Sequence, residues 1–407
     1  MSKKTGFLSF LKESIPEAIW AIGISSLLMN VSTAVVFSGT ALYLKTVLGV
    51  AISAIGFIEA IVEAIAYAVR IFSGVISDYF RKRKTMMMIG FVMLAISKPL
   101  LAFSKTFAHI FISRAIDRVG NGIQASPREA LISDLSPKES KGACFGLRQS
   151  LSVIGSTLGA LFGIIVMKST NNNFELMFLL AGIPAVIAVF ILLIFVKEKK
   201  QTKEERHEER RKIRLQDAKL LGKKFWILMI VVTVFMLGRF SEIFISLHAC
   251  DNFSLNVAYG TSITLIYNLV STFVSYPVGK MSDRMDRTTL LLIGFILLFV
   301  AHITIGFAAN LTILFIGTII WGLQIGITNS ILATLVSDYV PKDLRGTGFG
   351  VYYLIISIST AIASAFAGIL SEAYGEARAF AVGAVLCLIA LIMLCGFKRA
   401  LKIVHIH

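Results

Sequence analysis

Over 407 residues the chain is 56% hydrophobic and only 16% charged, with a mean hydropathy of +0.79. Soluble globular domains are about a quarter charged, so a water-soluble fold is excluded. The formal charge of +16 and the pI near 9.7 do not point to nucleic acid either, because of where the charges lie.

In chain order the sequence predicts twelve spanning helices, at 18–44, 49–77, 85–104, 107–133, 143–167, 174–196, 225–249, 256–279, 289–308, 311–336, 347–371 and 379–397. Each offers about 18–25 mostly apolar residues, enough to cross a bilayer and too many for a barrel strand. The fold class expected is an all-α polytopic membrane protein. The tail before the first segment, with Lys3, Lys4, Lys12 and Glu13, lacks the short apolar core and small-x-small exit of a cleaved signal, so it reads as cytoplasmic.

The first segment carries Asn30. The second carries Glu59, Glu63 and Arg70 on one helical face and ends in "GVISDYFRKRK", Gly74 to Lys84. Lys98 lies in the third. The fourth holds Arg114, Asp117, Arg118, Arg128 and Glu129 and leaves through "DLSPKESKG". In the fifth, Gly146, Gly155, Gly159 and Gly163 form a small-residue face suited to close helix contact, with Arg148 near the cytoplasmic side. The seventh contains "GRFSEIF", with Arg239 and Glu242 near mid-membrane. Asn268 lies in the eighth, which ends in "GKMSDRMDR", Gly279 to Arg287. The tenth holds Gln324 and Asn329 and leaves through "DYVPKDLRG".

Only Lys45, Lys105, Lys168 and Arg378 lie in the loops opposite the N-terminus, while most Lys and Arg share its side. Such asymmetry places both termini in the cytoplasm. The longest polar stretch, Lys197 to Lys224, divides the chain into a six-helix half at 1–196, a cytoplasmic linker at 197–224 that serves as a tether, and a second six-helix half at 225–407. The loop after the second segment recurs 205 positions later, and the loop after the fourth recurs 204 positions later. Both halves begin on the same side, so they are expected to be parallel repeats about an axis along the membrane normal. The four cysteines show no CxxC spacing and read as packing residues. The six histidines show no ligand spacing apart from the terminal "HIH", and no P-loop is present. No metal, cofactor or ATP-driven step is expected.

These motifs resemble those of the major facilitator superfamily along essentially the whole chain. "GVISDYFRKR" is similar to its loop 2–3 signature at Gly74, Asp78, Lys82 and Arg83, with Arg81 in place of a glycine. "RAIDRVGNG" is similar to the helix 4 signature at Arg114, Gly120 and Gly122, with Arg118 where a glycine is common. The helix 5 glycines keep the antiporter spacing, although Ala160 replaces its proline and Ile164 its last glycine. The run through "RAIDRVGNGIQASPREALISD" further resembles a bacterial branch of efflux permeases.

The resemblance implies two six-helix bundles related by a pseudo-two-fold, with helices 1, 4, 7 and 10 lining a central cavity. Cavity candidates are then Asn30, Arg114, Asp117, Arg239, Glu242 and Gln324. It also implies a cytoplasmic latch in which Asp134 receives the basic run Arg81 to Lys84 and Asp78 caps the start of helix 11 near Gly346. Gly279, Asp283, Arg284, Arg287 and Asp338 form the second-half counterpart, and helix 5 packs on helix 11.

Depth along the helices adds a reading of its own. Counting about 1.5 Å per residue from the outer ends pairs Glu63 with Arg118 and Glu59 with Arg114, with Asp117 in the same layer. Glu63, Asp117 and Glu242 are candidate proton carriers, because a desolvated carboxylate takes up a proton more readily and a nearby arginine opposes this. Five membrane acids face seven bases, which leans toward an anionic or zwitterionic substrate. The expectation is therefore no enzyme but a monomeric, proton-coupled secondary transporter of a small organic solute in a cell inner membrane. Efflux by antiport is favoured over import of a nutrient or metabolite.

Overall fold

The computed structural model describes residues 15–50, 52–197, 220–253 and 257–404. Most of the linker (198–219), the basic N-terminal tail and the terminal "HIH" lie outside the described residues. Helices account for nearly all the rest: α1 (Glu17–Thr46), α2 (Ile52–Phe80), α3 (Arg83–Ala102), α4 (Phe107–Leu135), α5 (Lys141–Ser169), α6 (Phe174–Phe195), α7a (Lys223–Gly238), α7b (Ile243–Phe253), α8 (Val257–Met281), α9 (Arg287–Gly306), α10 (Leu311–Tyr339), α11 (Arg345–Tyr374) and α12 (Glu376–Val404). No strand occurs among the described residues. Within a bilayer only such internally bonded backbone is tolerated.

Among the described residues, eight helices are long and apolar enough to cross a membrane by length and composition: α1, α3, α5, α6 and α9 to α12. Helix α4 does not pass that test because it carries Arg114, Asp117, Arg118, Arg128 and Glu129. Large apolar side chains such as Ile165, Phe190, Phe273, Ile369 and Ile392 point outward. In water that surface would be unstable, whereas lipid solvates it.

Sequence periodicity predicts one seventh helix over 225–249. The structure breaks it after Gly238, and the chain becomes helical again only from Ile243. The freed backbone groups are met by side chains. His302 Nε2 lies 2.8 Å from the Gly238 carbonyl oxygen, and the Ser241 N–H donates to Ser364 Oγ at 3.0 Å. Apolar runs cannot reveal such a break, because residues on both sides of it are equally greasy.

The chain forms two compact units. One comprises the described residues of Met1–Ser140, Leu151–Leu220 and Val340–Tyr353, and the other those of Lys141–Ser150, Leu221–Tyr339 and Leu354–His407. The first ten residues of α5 thus belong with the second unit, and the first nine of α11 with the first. In the first unit α4 packs along α2 and α3, and α1 along α6. A core of Val35, Val36, Leu101, Ile110, Met177 and Phe178 closes the end where Tyr43 stacks edge-on against Phe174 and Phe178. In the second unit α10 packs along α8 and α9, and α12 along α9 and α7a.

The α5 glycines meet partners other than helix 11. A Cβ on Gly146 would strike the Ser275 carbonyl of α8, and Cβ atoms on Gly155 and Gly159 would strike the Leu27 and Val31 carbonyls of α1. Gly163 is buried. The face serves close packing, but against α1 and α8.

Candidate functional site

In the first unit, α2, α3 and α4 gather their ionisable groups around Asp117. Its Oδ1 accepts from Lys98 Nζ and, at 3.1 Å, from Ser97 Oγ. Its Oδ2 accepts from Arg118 Nε at 3.1 Å and Nη2 at 2.8 Å, with Arg114 Nη1 3.8 Å away. Lys98 and Asp117 are sealed, their side chains 0% and 1% exposed. From this hub each arginine reaches a glutamate of α2. Arg114 grips Glu59 through Nε at 3.0 Å and Nη2 at 2.5 Å, and Arg118 Nη1 lies 3.3 Å from Glu63 Oε2. Arg70 stands 4.0 Å from the other Glu63 oxygen and donates to Asn121 Oδ1 at 3.1 Å. Glu59 and Glu63 are one turn apart on α2, as Arg114 and Arg118 are on α4, so the pairs stack as two rungs. Charges at this depth persist only when paired, and every one here is.

A second cluster lies further along the same unit. Glu129 Oε1 accepts from Arg128 Nη2 and from the Tyr353 hydroxyl, both at 3.0 Å, and Arg128 Nη1 donates to Gln124 at 3.0 Å. The Arg70 guanidinium lies over the rings of Tyr67 and Tyr353, at 5.0 and 5.6 Å.

At the ends of α2 and α8 the repeat becomes geometry. In the first unit Asp78 Oδ1 accepts from the Gly346 N–H at 2.9 Å, and Oδ2 from the Thr347 N–H at 2.6 Å and the Thr347 hydroxyl at 2.8 Å. In the second unit Asp283 Oδ1 accepts from the Gly142 N–H at 2.7 Å, and Oδ2 from the Ala143 N–H at 2.9 Å. Each carboxylate closes a helix N-terminus, α11 or α5, where unpaired N–H groups and the positive dipole end attract an anion. Close approach allows this. A Cβ on Gly74 would lie 2.2 Å from the Gly346 oxygen, and one on Gly279 2.3 Å from the Gly142 oxygen.

The flanking ions repeat too. Arg83 joins Asp78 at 3.2 Å and Asp134 at 2.6 Å, and Arg345 joins Asp134 at 2.7 Å. In the second unit Arg287 joins Asp283 at 3.2 Å and also pairs with Asp338, and Lys141 joins Asp338 at 3.1 Å. From the basic run it is therefore Arg83 that reaches Asp134. Arg81 stands 3.9 Å from the exposed Asp343, and Lys82 and Arg284 are exposed. Arg81 has φ +50°, the left-handed region that explains why a glycine suits that position.

In the second unit the break in α7 carries its own pair. Arg239 Nη2 lies 3.3 Å from Glu242 Oε1, and its Nη1 donates to Asn329 Oδ1 at 3.3 Å. Of the other cavity candidates, Asn30 is half-buried and donates to the Ser26 carbonyl at 2.8 Å. Gln324 is fully buried and donates to Thr328 Oγ1 at 2.9 Å. Arg148 donates to Gln149 at 3.0 Å.

The Major Facilitator Superfamily profile matches residues 22–263 and 243–402. The chain belongs to the Major Facilitator Superfamily. An uncharacterised MFS-type transporter of Methanocaldococcus jannaschii, MJ1317, is 26% identical over 381 residues, covering 92% of this chain and 94% of that one. The glucose transporter GlcP of Staphylococcus epidermidis is 24% identical over 364 residues, covering 80% and 81%. Among solved structures, the human organic anion transporter MFSD10 (TETRAN) superposes with a TM-score of 0.76 at 16% identity, over 94% of this chain and all of the other. The proton:xylose symporter XylE gives 0.73 at 16% identity, over 94% and 95%. At such identity the structures share the fold alone: the all-α, twelve-span, two-bundle fold of the superfamily.

For this superfamily member, sequence reasoning missed Lys98 as the partner of Asp117, Tyr353 as a partner of Glu129, and His302 at the α7 break. Lys98 was legible, because a lone base amid twenty mostly apolar residues must find an acid. His302 was not, because its partner is a backbone carbonyl.

Proposed function

We propose that the protein is a proton-coupled secondary transporter of a small organic solute, working by alternating access in a cell inner membrane with both termini cytoplasmic, and that it runs as an efflux antiporter. The observation that carries the coupling is the different way in which the membrane acids are held. Asp117 has both oxygens occupied by Lys98, Arg118 and Ser97, which leaves a proton little room to bind. Glu63 has one 3.3 Å bond and one 4.0 Å contact, and Glu242 one 3.3 Å bond, so each has an oxygen edge free to accept a proton. When Glu63 takes one, Arg118 keeps Asp117, and when Glu242 does, Arg239 keeps Asn329. Neither arginine is stranded in hydrocarbon, which would cost several kcal/mol. Asp117 thus acts as the fixed anchor, while Glu63 and Glu242 carry the proton.

Cycling also needs the cytoplasmic latch to form and release. Asp78 and Asp283, on their helix N-termini, with Asp134 and Asp338 between their basic partners, supply that contact. A second reading, proton-coupled import, draws on the relatedness to a glucose transporter and the fold shared with a proton:xylose symporter.

The test is reconstitution into liposomes under an imposed pH gradient, with tetraphenylphosphonium, glucose and p-aminohippurate as probes. Movement of a probe opposite to the proton flux supports antiport, and movement with it supports import. E63Q and E242Q should each abolish gradient-driven accumulation while leaving passive exchange of the probe. Transport of every moved probe that ignores the gradient would sink the coupling.

A further inference from the structure

The broken helix raises a question that the proton-carrier reading leaves open: what fixes Arg239 and Glu242 at a gap in the backbone? The repeat supplies a comparison. Helices α3 and α9 begin at Arg83 and Arg287, and α4 and α10 at Phe107 and Leu311, all 204 residues apart. On that register His302 occupies the position of Lys98, and Trp321 that of Asp117. In the first unit the buried polar residue of the third helix has an acid to pair with. In the second the acid is an indole, 5.2 Å from the imidazole centroid at an interplanar angle of 87°, and His302 reaches instead to the Gly238 carbonyl at the end of α7a, at 2.8 Å. A carbonyl only accepts, so the imidazole proton sits on Nε2, and Nδ1, buried, has no hydrogen-bond partner.

The surroundings leave the ring no other place. Phe240, the residue at the centre of the break, is buried against His302 (5.2 Å), Phe380 (5.2 Å) and Trp321 (6.2 Å). A Cβ on Gly383 of α12 would lie 2.7 Å from His302 Cε1, and one on Gly238 2.9 Å from Cys387 Sγ. Beyond the gap, the Ser241 N–H is held by Ser364, and His248 Nδ1 of α7b lies 2.8 Å from Glu376 Oε2 of α12. The break therefore has a fixed geometry. Phe240 turns inward, and the residues flanking it, Arg239 and Glu242, are held half-buried.

We propose that His302 is the positioning residue of the α7 break: as a neutral N–H donor it satisfies the carbonyl that the missing helical turn leaves open, and so sets where Arg239 and Glu242 stand. In the first repeat α1 runs unbroken from Glu17 to Thr46, and the equivalent residue, Lys98, is occupied by Asp117. The second repeat has exchanged an ion pair for a hinge pin. A buried carbonyl without a donor loses its hydration and gains nothing in return, so without His302 the segment re-forms helix or samples other openings. This rests on Arg239 and Glu242 acting in transport, as proposed above.

The test is hydrogen–deuterium exchange on the full-length protein in lipid nanodiscs, comparing wild type, H302L and H302Q. Glutamine retains an N–H that can reach the carbonyl; leucine keeps bulk alone. In H302L the amides of 241–246 should change their exchange rate by about tenfold, in whichever direction the segment moves, while α10 peptides stay within about twofold and H302Q returns the segment to wild type. Labelling of Glu242 by dicyclohexylcarbodiimide, which attacks protonated carboxyls, should shift severalfold in H302L and recover in H302Q. If H302L does not assemble, H302N takes its place, since its amide stops short of the carbonyl. Unchanged exchange and labelling in the donor-free variant, or an H302Q that behaves like it, overturns the proposal. These measurements need neither substrate nor gradient. Loss of this proposal with E242Q still blocking driven transport would spare the transport reading, and the converse result would spare the pin.

Discussion

Lys98 sits inside α3 with no water to solvate it, and an isolated ammonium at that depth would cost several kcal/mol. Asp117 removes most of that cost, and also stands among Arg114 and Arg118. The arrangement has a testable asymmetry. K98M leaves an acid with two arginines that are also needed by Glu59 and Glu63, and should destabilise the protein by about 3–5 kcal/mol, the usual cost of breaking a buried pair. K98M/D117N keeps the net charge and leaves Arg114–Glu59 and Arg118–Glu63 as two simple pairs. Chemical denaturation in micelles should therefore show the double variant recovering at least about 2 kcal/mol relative to the sum of the singles. Strict additivity would mean that Lys98 and Asp117 do not depend on each other. At this scale the sequence was partly legible. The register of Glu59 with Arg114 and of Glu63 with Arg118 follows from counting rise per residue along α2 and α4. The base-to-acid surplus did not reveal how the charges were partnered, because that depends on which helix faces which.

Among the elements, the spans were legible wherever hydrophobic length decides, and their ends wherever a basic run or a capping residue stops them. The α7 break was not, since Gly238 and Arg239 look like any interruption in an apolar run until His302 and Ser364 are seen to meet the freed backbone. The loop from α8 to α9 offers a pH test. Burial pushes the Asp283 carboxyl above the ordinary carboxylate value, although the Ala143 and Gly142 N–H groups and Arg287 pull it down. A folded-state pKa raised above that of the unfolded chain means that the folded state binds the proton more readily between the two values. Stability from this group is then greatest below the unfolded value and falls as pH rises through the folded one. D283N should flatten the descending slope of stability against pH just above the ordinary carboxylate range. A slope of equal steepness in wild type and D283N would assign it to another group.

Across the whole molecule the duplication provides an internal control. The two capped helices correspond contact by contact: Asp78 to Asp283, Gly346 to Gly142, Arg83 to Arg287, Asp134 to Asp338 and Arg345 to Lys141. Of the hydrogen bonds to Asp78, one has no counterpart at Asp283. Thr347 adds its hydroxyl to Asp78 Oδ2 at 2.8 Å, and the repeat-equivalent residue is Ala143, which has only its N–H to give. The first site therefore carries one hydrogen bond to a buried carboxylate that the second lacks, and bonds to charged groups contribute about 1.5–3 kcal/mol each. T347V keeps the side-chain volume and removes the donor, so it should lower unfolding stability by about that amount. The comparison that isolates the hydroxyl is D78N in both backgrounds. In wild type D78N should cost more than D283N, and in T347V the two should cost about the same, since the sites then offer the same donors. Should D78N remain the costlier substitution by more than about 1 kcal/mol in T347V, the difference between the sites would lie in burial rather than in the hydroxyl. Asp78 is the more deeply buried of the two, so that outcome has a definite physical meaning, and the experiment separates desolvation from hydrogen bonding at two copies of one motif within a single chain.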